Sequence, residues 1–333
     1  MPGEVLVLGG TGNFGRRIVE GLKRHGVPVI AAGGRKDFDV HRELGARLDA
    51  LAPKVVVNTC GPFQMSGYDV AEACIARRIH YIDLADGREF VKGITVLDAA
   101  AKASGVSIIS GASSVPGLSS AVIEHFRHEF ERVDEIDFGI SPGQQTPRGL
   151  ATVTAIMTYV GKAFHGVHGW QDVHRRAYPT LGKRWMANCD IPDLDLLPAR
   201  YGLKRVRFFA GSELGFLHLN LWFLSWLVRL GLPLNLPRRA ALMLRISNLF
   251  DGFGSANGGM HAILRGGGRE RQWYLIARSG HGPQVPCVPA IVLAGKLMGN
   301  VGLAPGAYPC VGLVSLDEYM AELSGFDIEQ ITA

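Results

Sequence analysis

The chain has 333 residues, of which 47% are hydrophobic and 20% charged. That is enough apolar material for two domains with real cores, and it excludes a disordered chain. The net charge of +5 is modest for this length and does not indicate nucleic-acid binding. Five scattered cysteines, Cys60, Cys74, Cys189, Cys287 and Cys310, form no CxxC pair. Reduced thiols in a cytoplasmic protein are therefore expected, and no metal site is.

The first strand signal, Val5-Leu6-Val7-Leu8, starts almost at once, which leaves no room for a signal peptide. A continuous apolar run of this kind fits a buried parallel strand. It enters the loop Gly9-Gly10-Thr11-Gly12-Asn13-Phe14-Gly15, and a helical stretch follows from Arg16 to Arg24. The Gly10-x-Gly12-x-x-Gly15 spacing supplies what a dinucleotide needs. One glycine makes the tight turn, one lets backbone approach a pyrophosphate, and one lets helix pack on strand. The pyrophosphate would sit on the N–H groups at the helix N-terminus. An ordinary glycine-rich turn shares the pattern, but the preceding strand and following helix favour the nucleotide.

A second apolar run, Val27 to Ala32, ends in Gly33-Gly34-Arg35-Lys36. Arg35 stands twenty positions after Gly15, where an NAD site usually carries an acidic residue for the ribose hydroxyl. Arginine there accommodates a 2′-phosphate, so Arg35 and Lys36 argue for NADP(H). The competing reading is a solvated basic turn, with Asp37 or Asp39 taking the hydroxyl.

Between Arg35 and the next strand at Val55, the helical stretch His41–Leu51 uses most of the available chain. A crossover needs at least about a dozen residues, so one helix and its strand are expected to be missing. The sheet should then run 2-1-4-5-6 in the usual labelling, leaving the adenine edge open. Val55–Thr59 leads into Cys60-Gly61-Pro62-Phe63-Gln64, at the strand end where such folds bind ligands. A helix (Tyr68–Arg78), a strand (His80–Leu84) ending in Ala85-Asp86-Gly87, and a helix (Arg88–Ala103) follow. A strand (Val106–Ser110), a glycine-proline turn and a helix (Leu118–Phe130) complete the series. This alternation specifies a Rossmann-type, doubly wound parallel α/β sheet.

GGTGNFG, the N-T-C-G-P-F-Q turn, A-C-x-x-x-x-x-H-Y-I-D-L and the later glycine-proline turn resemble the saccharopine dehydrogenase-like oxidoreductases. The resemblance is close through residue 130 and loose beyond it. It implies an NADP-binding domain, with the chain end (about 305–333, as a helix) returning to it. A second, α+β substrate and dimerisation domain would span 131–304. It also implies hydride transfer at a carbon–nitrogen bond of a small amino-acid-derived substrate. By matching position, Gly10, Gly12 and Gly15 would hold the diphosphate and Arg35 the 2′-phosphate. Cys60, Gly61, Pro62 and Phe63 would line the nicotinamide side.

Candidate proton-handling residues near the strand ends are Tyr81, Asp83 and Asp86, with His80 and Ser114 beside them. Arg148, at the mouth of the turn Ser141–Gly149, is a candidate clamp for a substrate carboxylate; a plain surface arginine is the alternative. Residues 165–200 read as polar loop and strand, without metal-ligand spacing.

Leu214–Val228 is the most apolar segment, yet too short to span a hydrocarbon core of ~30 Å. It carries apolar side chains in nearly every helical direction, so burial against the core and a second subunit is expected. The flanking arginines keep peripheral membrane contact through 214–232 as the alternative. Met260–Arg265 and Gln272–Arg278 read as a hairpin around Gly266-Gly267-Gly268. A helix from about Pro289 to Met298 follows, and Ser315–Glu318 forms a capping box for the last helix.

Two other function classes compete. A short-chain reductase needs a lysine four residues after its tyrosine, and Tyr81, Tyr159, Tyr201 and Tyr274 are followed there by Ala85, Ala163, Arg205 and Arg278. A non-catalytic, sensor-type NADP-binding protein docked through its apolar segment remains open.

Overall fold

In the computed structural model, which describes residues 3–33 and 44–333, short apolar runs build a parallel sheet. Its strands are β1 Val5–Leu8, β2 Val29–Ala32, β3 Val55–Asn58, β4 His80–Asp83 and β5 Ser107–Ser110. Among the described residues a later strand, β14 Gly306–Pro309, adds a sixth. The order is β2-β1-β3-β4-β5-β14, parallel throughout. Among the described strands this is the expected order, with β14 as an addition; residues 34–43, where the direct crossover was expected, lie outside the described residues.

Successive side chains point to opposite faces of a strand, and both faces of the inner strands β1, β3, β4 and β5 are covered. Leu6, Leu8, Val56, Tyr81 and Ile108 pack with Leu48, Cys74 and Ile75 on one side. On the other side the helices Gly15–Arg24 and Val288–Met298 pack together, and the latter lies against β3 and β4. Sheets buried on both faces are why these strands read as unbroken apolar runs.

The chain divides into two units, Met1–Ala121 with Gln284–Glu322, and Val122–Pro283 with Leu323–Ala333. Two sequence expectations are corrected here. Val288–Met298 belongs to the first unit, whereas the sequence reading places residues up to 304 in the second. The stretch 305–333 is not one helix. It forms β14, the helix Leu316–Glu322, and the strand β15 Ile328–Thr332, which joins the other sheet. The capping box is present, with Ser315 N–H donating to Glu318 and Glu318 N–H to Ser315 Oγ.

The expected helix Arg88–Ala103 is broken into Arg88–Gly93, a 3₁₀ segment Ile94–Leu97, and Asp98–Ser104. The run Ile94-Thr95-Val96 explains the break, because β-branched side chains crowd a helix.

The second unit is a mixed sheet. After β6 Glu135–Ser141 come a short hairpin, β7 Ala163–Phe164 with β8 Val167–His168, then β9 His174–Tyr178 and β10 Gly182–Asn188. The strands β11 Arg205–Ser212, β12 Gly258–Gly266 and β13 Arg269–Ala277 follow. Seven strands run in the order β15-β13-β12-β6-β11-β10-β9. The β12–β13 hairpin turns at Gly267 (φ +57°) and Gly268 (φ +76°), the pair of positive φ values such two-residue turns require. The stretch 165–200 also holds a helix, Asp193–Tyr201, hidden from sequence by Pro198 inside it. The fold is thus a Rossmann-type α/β sheet plus a second, mixed α+β unit.

At the centre of that second sheet Asp137 is buried and accepts from Arg207 at 2.7 and 2.8 Å and from Arg265 at 2.7 Å. Burial works against its charge, but the two guanidinium groups hold its carboxyl below the usual range. Asp137→Asn should lower unfolding stability by about 1–3 kcal/mol, at the lower end because both arginines reach water. An unchanged urea midpoint would contradict this.

Candidate functional site

The carboxyl end of the parallel sheet gathers the sequence motifs. Gly9 sits at φ +76°, and a Cβ there would lie 2.5 Å from Thr59 Oγ1 and 3.2 Å from Cys60 Sγ. The loops after β1 and β3 are therefore in contact. A Cβ on Gly10 would meet Ala31 Cα at 2.8 Å, and one on Gly15 would meet the Gly9 carbonyl oxygen at 2.1 Å. These glycines permit close packing of the loop on β2 and of the first helix on the loop. Gly12 differs: a Cβ would meet only the Gly9 carbonyl oxygen, at 3.0 Å. It is exposed together with Thr11, while Asn13 and Phe14 are half-buried.

The helix Gly15–Arg24 starts without a side-chain cap and without an acidic residue in its first turn. Its N-terminal partial positive charge is thus left for an anion. Arg17 braces the loop by donating to the Asn13 carbonyl and, at 2.7 Å, to Asn13 Oδ1.

Beyond the glycines, β3, β4 and β5 each end on a polar residue, Asn58, Asp83 and Ser110. Asn58 and Asp83 stand side by side in register. Asp83 is fully buried. Its Oδ1 accepts from Ala85 N–H, Ser110 Oγ and Gly111 N–H, each at 2.9 Å, whereas Oδ2 is buried. Burial outweighs these bonds and raises its pKa to about 6. Asn58 donates to the Tyr81 hydroxyl at 3.1 Å and accepts from Cys60 N–H at 3.0 Å. Burial pushes the Tyr81 phenol well up.

Of the residues named from sequence, Tyr81 and Asp83 are wholly enclosed and hold loops in place. Asp86 is half-buried, accepts from Gln64 Nε2 at 2.9 Å, and has its pKa raised by burial. Cys60 is exposed, Gly61 and Pro62 are half-buried, and Phe63 is buried against Phe90, ring centres 5.3 Å apart. His80 opens β4 at the opposite end of the sheet, where Nδ1 accepts from Ser107 N–H at 3.0 Å. Arg148 is already engaged. Its guanidinium pairs with Asp251 and donates to the Gln144 carbonyl and, at 3.0 Å, to Asn248. Arg35 and Lys36 lie outside the described residues.

The sequence gives Asn58 and Gln64 only as parts of a motif and Ser110 only as a strand end, with no role for any of the three side chains. A signal existed: VVVN, HYID and SIIS are aligned strands with a polar last residue.

No protein-family model matches this chain, and no curated protein does. Among solved structures, an amine dehydrogenase from Mycobacterium smegmatis is 11% identical over 93% of this chain and 95% of its own, with a TM-score of 0.49. An engineered D-amino acid dehydrogenase bound to NADP+ is 14% identical over 96% and 99%, with a TM-score of 0.49. A C. glutamicum DAP dehydrogenase in complex with DAP is 14% identical over 96% and 99%, with a TM-score of 0.46. At these scores the likenesses carry no argument about the reaction.

Asp83 gives this site a pH signature. A carboxyl whose folded pKa lies above its unfolded value supports stability below about pH 4, and that support is lost as pH rises towards 6. Asp83→Asn keeps an acceptor oxygen but cannot ionise. Between pH 4 and 7 the variant should gain on the order of 2–3 kcal/mol relative to the unmodified protein. Parallel stability–pH curves would refute the assignment.

Proposed function

We propose that this chain is an NADP(H)-dependent oxidoreductase of the saccharopine dehydrogenase-like kind. It would transfer hydride at a carbon–nitrogen or carbon–oxygen bond of a small amino-acid-derived metabolite. The observation that carries the reading is the uncapped N-terminus of Gly15–Arg24 behind a glycine loop whose Gly12 is open on its outer side. Such a terminus without a competing carboxylate suits a diphosphate. The preference for a 2′-phosphate rests on the identity of Arg35 and Lys36.

When bound, the nicotinamide supplies hydride transfer, the difficult step of such a reaction. The chain's own residues position and protonate. Gly9–Gly15 would hold the diphosphate, with Arg17 keeping the loop in shape, and Cys60, Gly61 and Pro62 would border the reacting ring. Asp83 is a positioning residue, since it fixes the loops after β4 and β5 and is enclosed. Asp86 is the carboxyl at this edge that is half-buried, and burial raises its pKa, the direction that favours holding a proton. Arg148 has no substrate role in this proposal because Asp251 occupies its guanidinium.

Calorimetry should show NADPH binding at least about tenfold more tightly than NADH, or roughly 1.4 kcal/mol, and Arg35→Asp should abolish or invert the preference. Equal affinities would remove the NADP assignment. NADPH binding without consumption across a panel of imine and ketone metabolites would instead favour the sensor-type protein.

A further inference from the structure

The helix Gly215–Arg229 is inside out. The sequence pattern predicts that this apolar segment is buried, yet its two buried residues are His218 and Ser225. Both are held by polar contacts: the His218 carbonyl accepts from Trp170 Nε1 at 3.2 Å, and Ser225 Oγ accepts from Gln171 Nε2 at 2.8 Å. His218 Nδ1 lies 3.0 Å from Ser212 Oγ. The outer side carries Phe216, Leu219, Trp222 and Phe223, the last 55% exposed. Phe216 meets Phe250 edge-on, ring centres 4.8 Å apart, and Phe250 meets Phe253. The apolar surface thereby continues to the end of the helix Ala240–Asn248, where Leu242, Ile246 and Leu249 stand exposed at helical spacing. A continuous patch of this kind on a folded unit marks an interaction surface.

Charge decides between occupants. From Leu214 to Phe250 the sequence holds four arginines, Arg229, Arg238, Arg239 and Arg245, and no aspartate or glutamate. Arg238, Arg239 and Arg245 are exposed and form no ion pair among the described residues. The nearest acidic side chains in sequence are spoken for, Glu213 by Arg184 and Asp251 by Arg148. A second copy meeting this patch through a two-fold axis would bring arginines against arginines with no carboxylate between them. An anionic lipid surface offers the complementary charge together with an apolar layer for the aromatic side chains. No described helix is long and apolar enough to cross a membrane, so the fitting mode is a helix lying in the interface, with Trp222 and Trp226 at headgroup level.

We propose that this face docks the protein on anionic phospholipid membranes, through the Gly215–Arg229 helix and the Ala240–Asn248 helix, with Arg238, Arg239 and Arg245 meeting the headgroups. The full chain should co-sediment with phosphatidylglycerol-containing vesicles and stay in the supernatant with pure phosphatidylcholine, and added salt should release it. Replacing Arg238, Arg239 and Arg245 with glutamine changes only exposed side chains. The variant should keep its melting temperature and bind anionic vesicles roughly a hundredfold more weakly. Phe223→Glu with Leu249→Glu should also lose binding. Equal sedimentation with both lipids, or with neither, would overturn the proposal. So would a dimer, measured by light scattering without lipid, that Phe223→Glu with Leu249→Glu dissociates; a second copy would then own the face.

Discussion

One buried carboxyl oxygen organises the carboxyl end of the parallel sheet. Strand ends are hard to satisfy, because the backbone leaves the ladder while still enclosed by packed helices, and an unpaired buried group costs about 1–3 kcal/mol. Asp83 Oδ1 meets three donors at once, from its own loop, from β5, and from the loop after β5. The Asp83 carbonyl also accepts from Ala112 N–H at 2.7 Å. Asn58 plays the same part for the loop after β3, and Thr59 Oγ1 donates back to the Leu8 carbonyl on β1 at 2.8 Å. Polar residues in one rank across adjacent strands thus turn frayed ends into fixed loops, which a binding site requires.

The same enclosure sets the electrostatics. Three donors on one carboxyl would ordinarily pull its pKa down, but burial without a cation reverses the sign. Asp137, in the second unit, shows the opposite balance, since two guanidinium groups overcome a similar burial. The comparison separates two uses of a buried carboxyl. Beside arginines it is a structural ion pair, and under uncharged donors alone it is a titratable brace. Around the glycine loop the field is also one-sided, with an uncapped helix start, Arg16 and Arg17, and no acidic residue in the first turn.

How much of this was legible in the sequence follows from run length and chemistry. VLVL before a glycine cluster, VVVN, HYID and SIIS were readable as strands because a doubly covered sheet forces unbroken apolar runs. The glycine loop was readable because only glycine tolerates such close approaches. The polar rank was less so: Asn58 and Ser110 look like ordinary strand ends until the register sets them beside Asp83. Asp83 and Tyr81 carried the right chemistry at the right place, but burial cannot be counted from a linear pattern. Arg148 failed differently. A basic residue at a turn is equally apt for an anion or for Asp251, and the partner lies about a hundred residues away. β14 escaped because Gly-Ala-Tyr-Pro has neither length nor β-branching, and only the parallel neighbour β5 makes it a strand.

The Gly215–Arg229 helix shows where periodicity stops informing. With apolar residues in nearly every direction, the sequence gives no preferred inward face, and hydrophobicity alone would bury it all. The direction is decided by the few polar side chains, because a polar group placed inside must find partners and a small one finds them cheaply. Gln171, brought there by the strand-and-hairpin region 163–188, supplies the partner for Ser225 Oγ, Ser212 Oγ lies 3.0 Å from His218 Nδ1, and Trp170 Nε1 donates to the His218 backbone carbonyl. Gly161 allows the close approach, since a Cβ there would lie 2.4 Å from the Ser225 carbonyl oxygen. Burial keeps the His218 imidazole neutral, its pKa lowered to about 4, so the inward face adds no charge to the enclosed side. A helix anchored by two polar contacts can hold its aromatic side chains outward in water, a costly arrangement for a monomer unless another surface removes them from it.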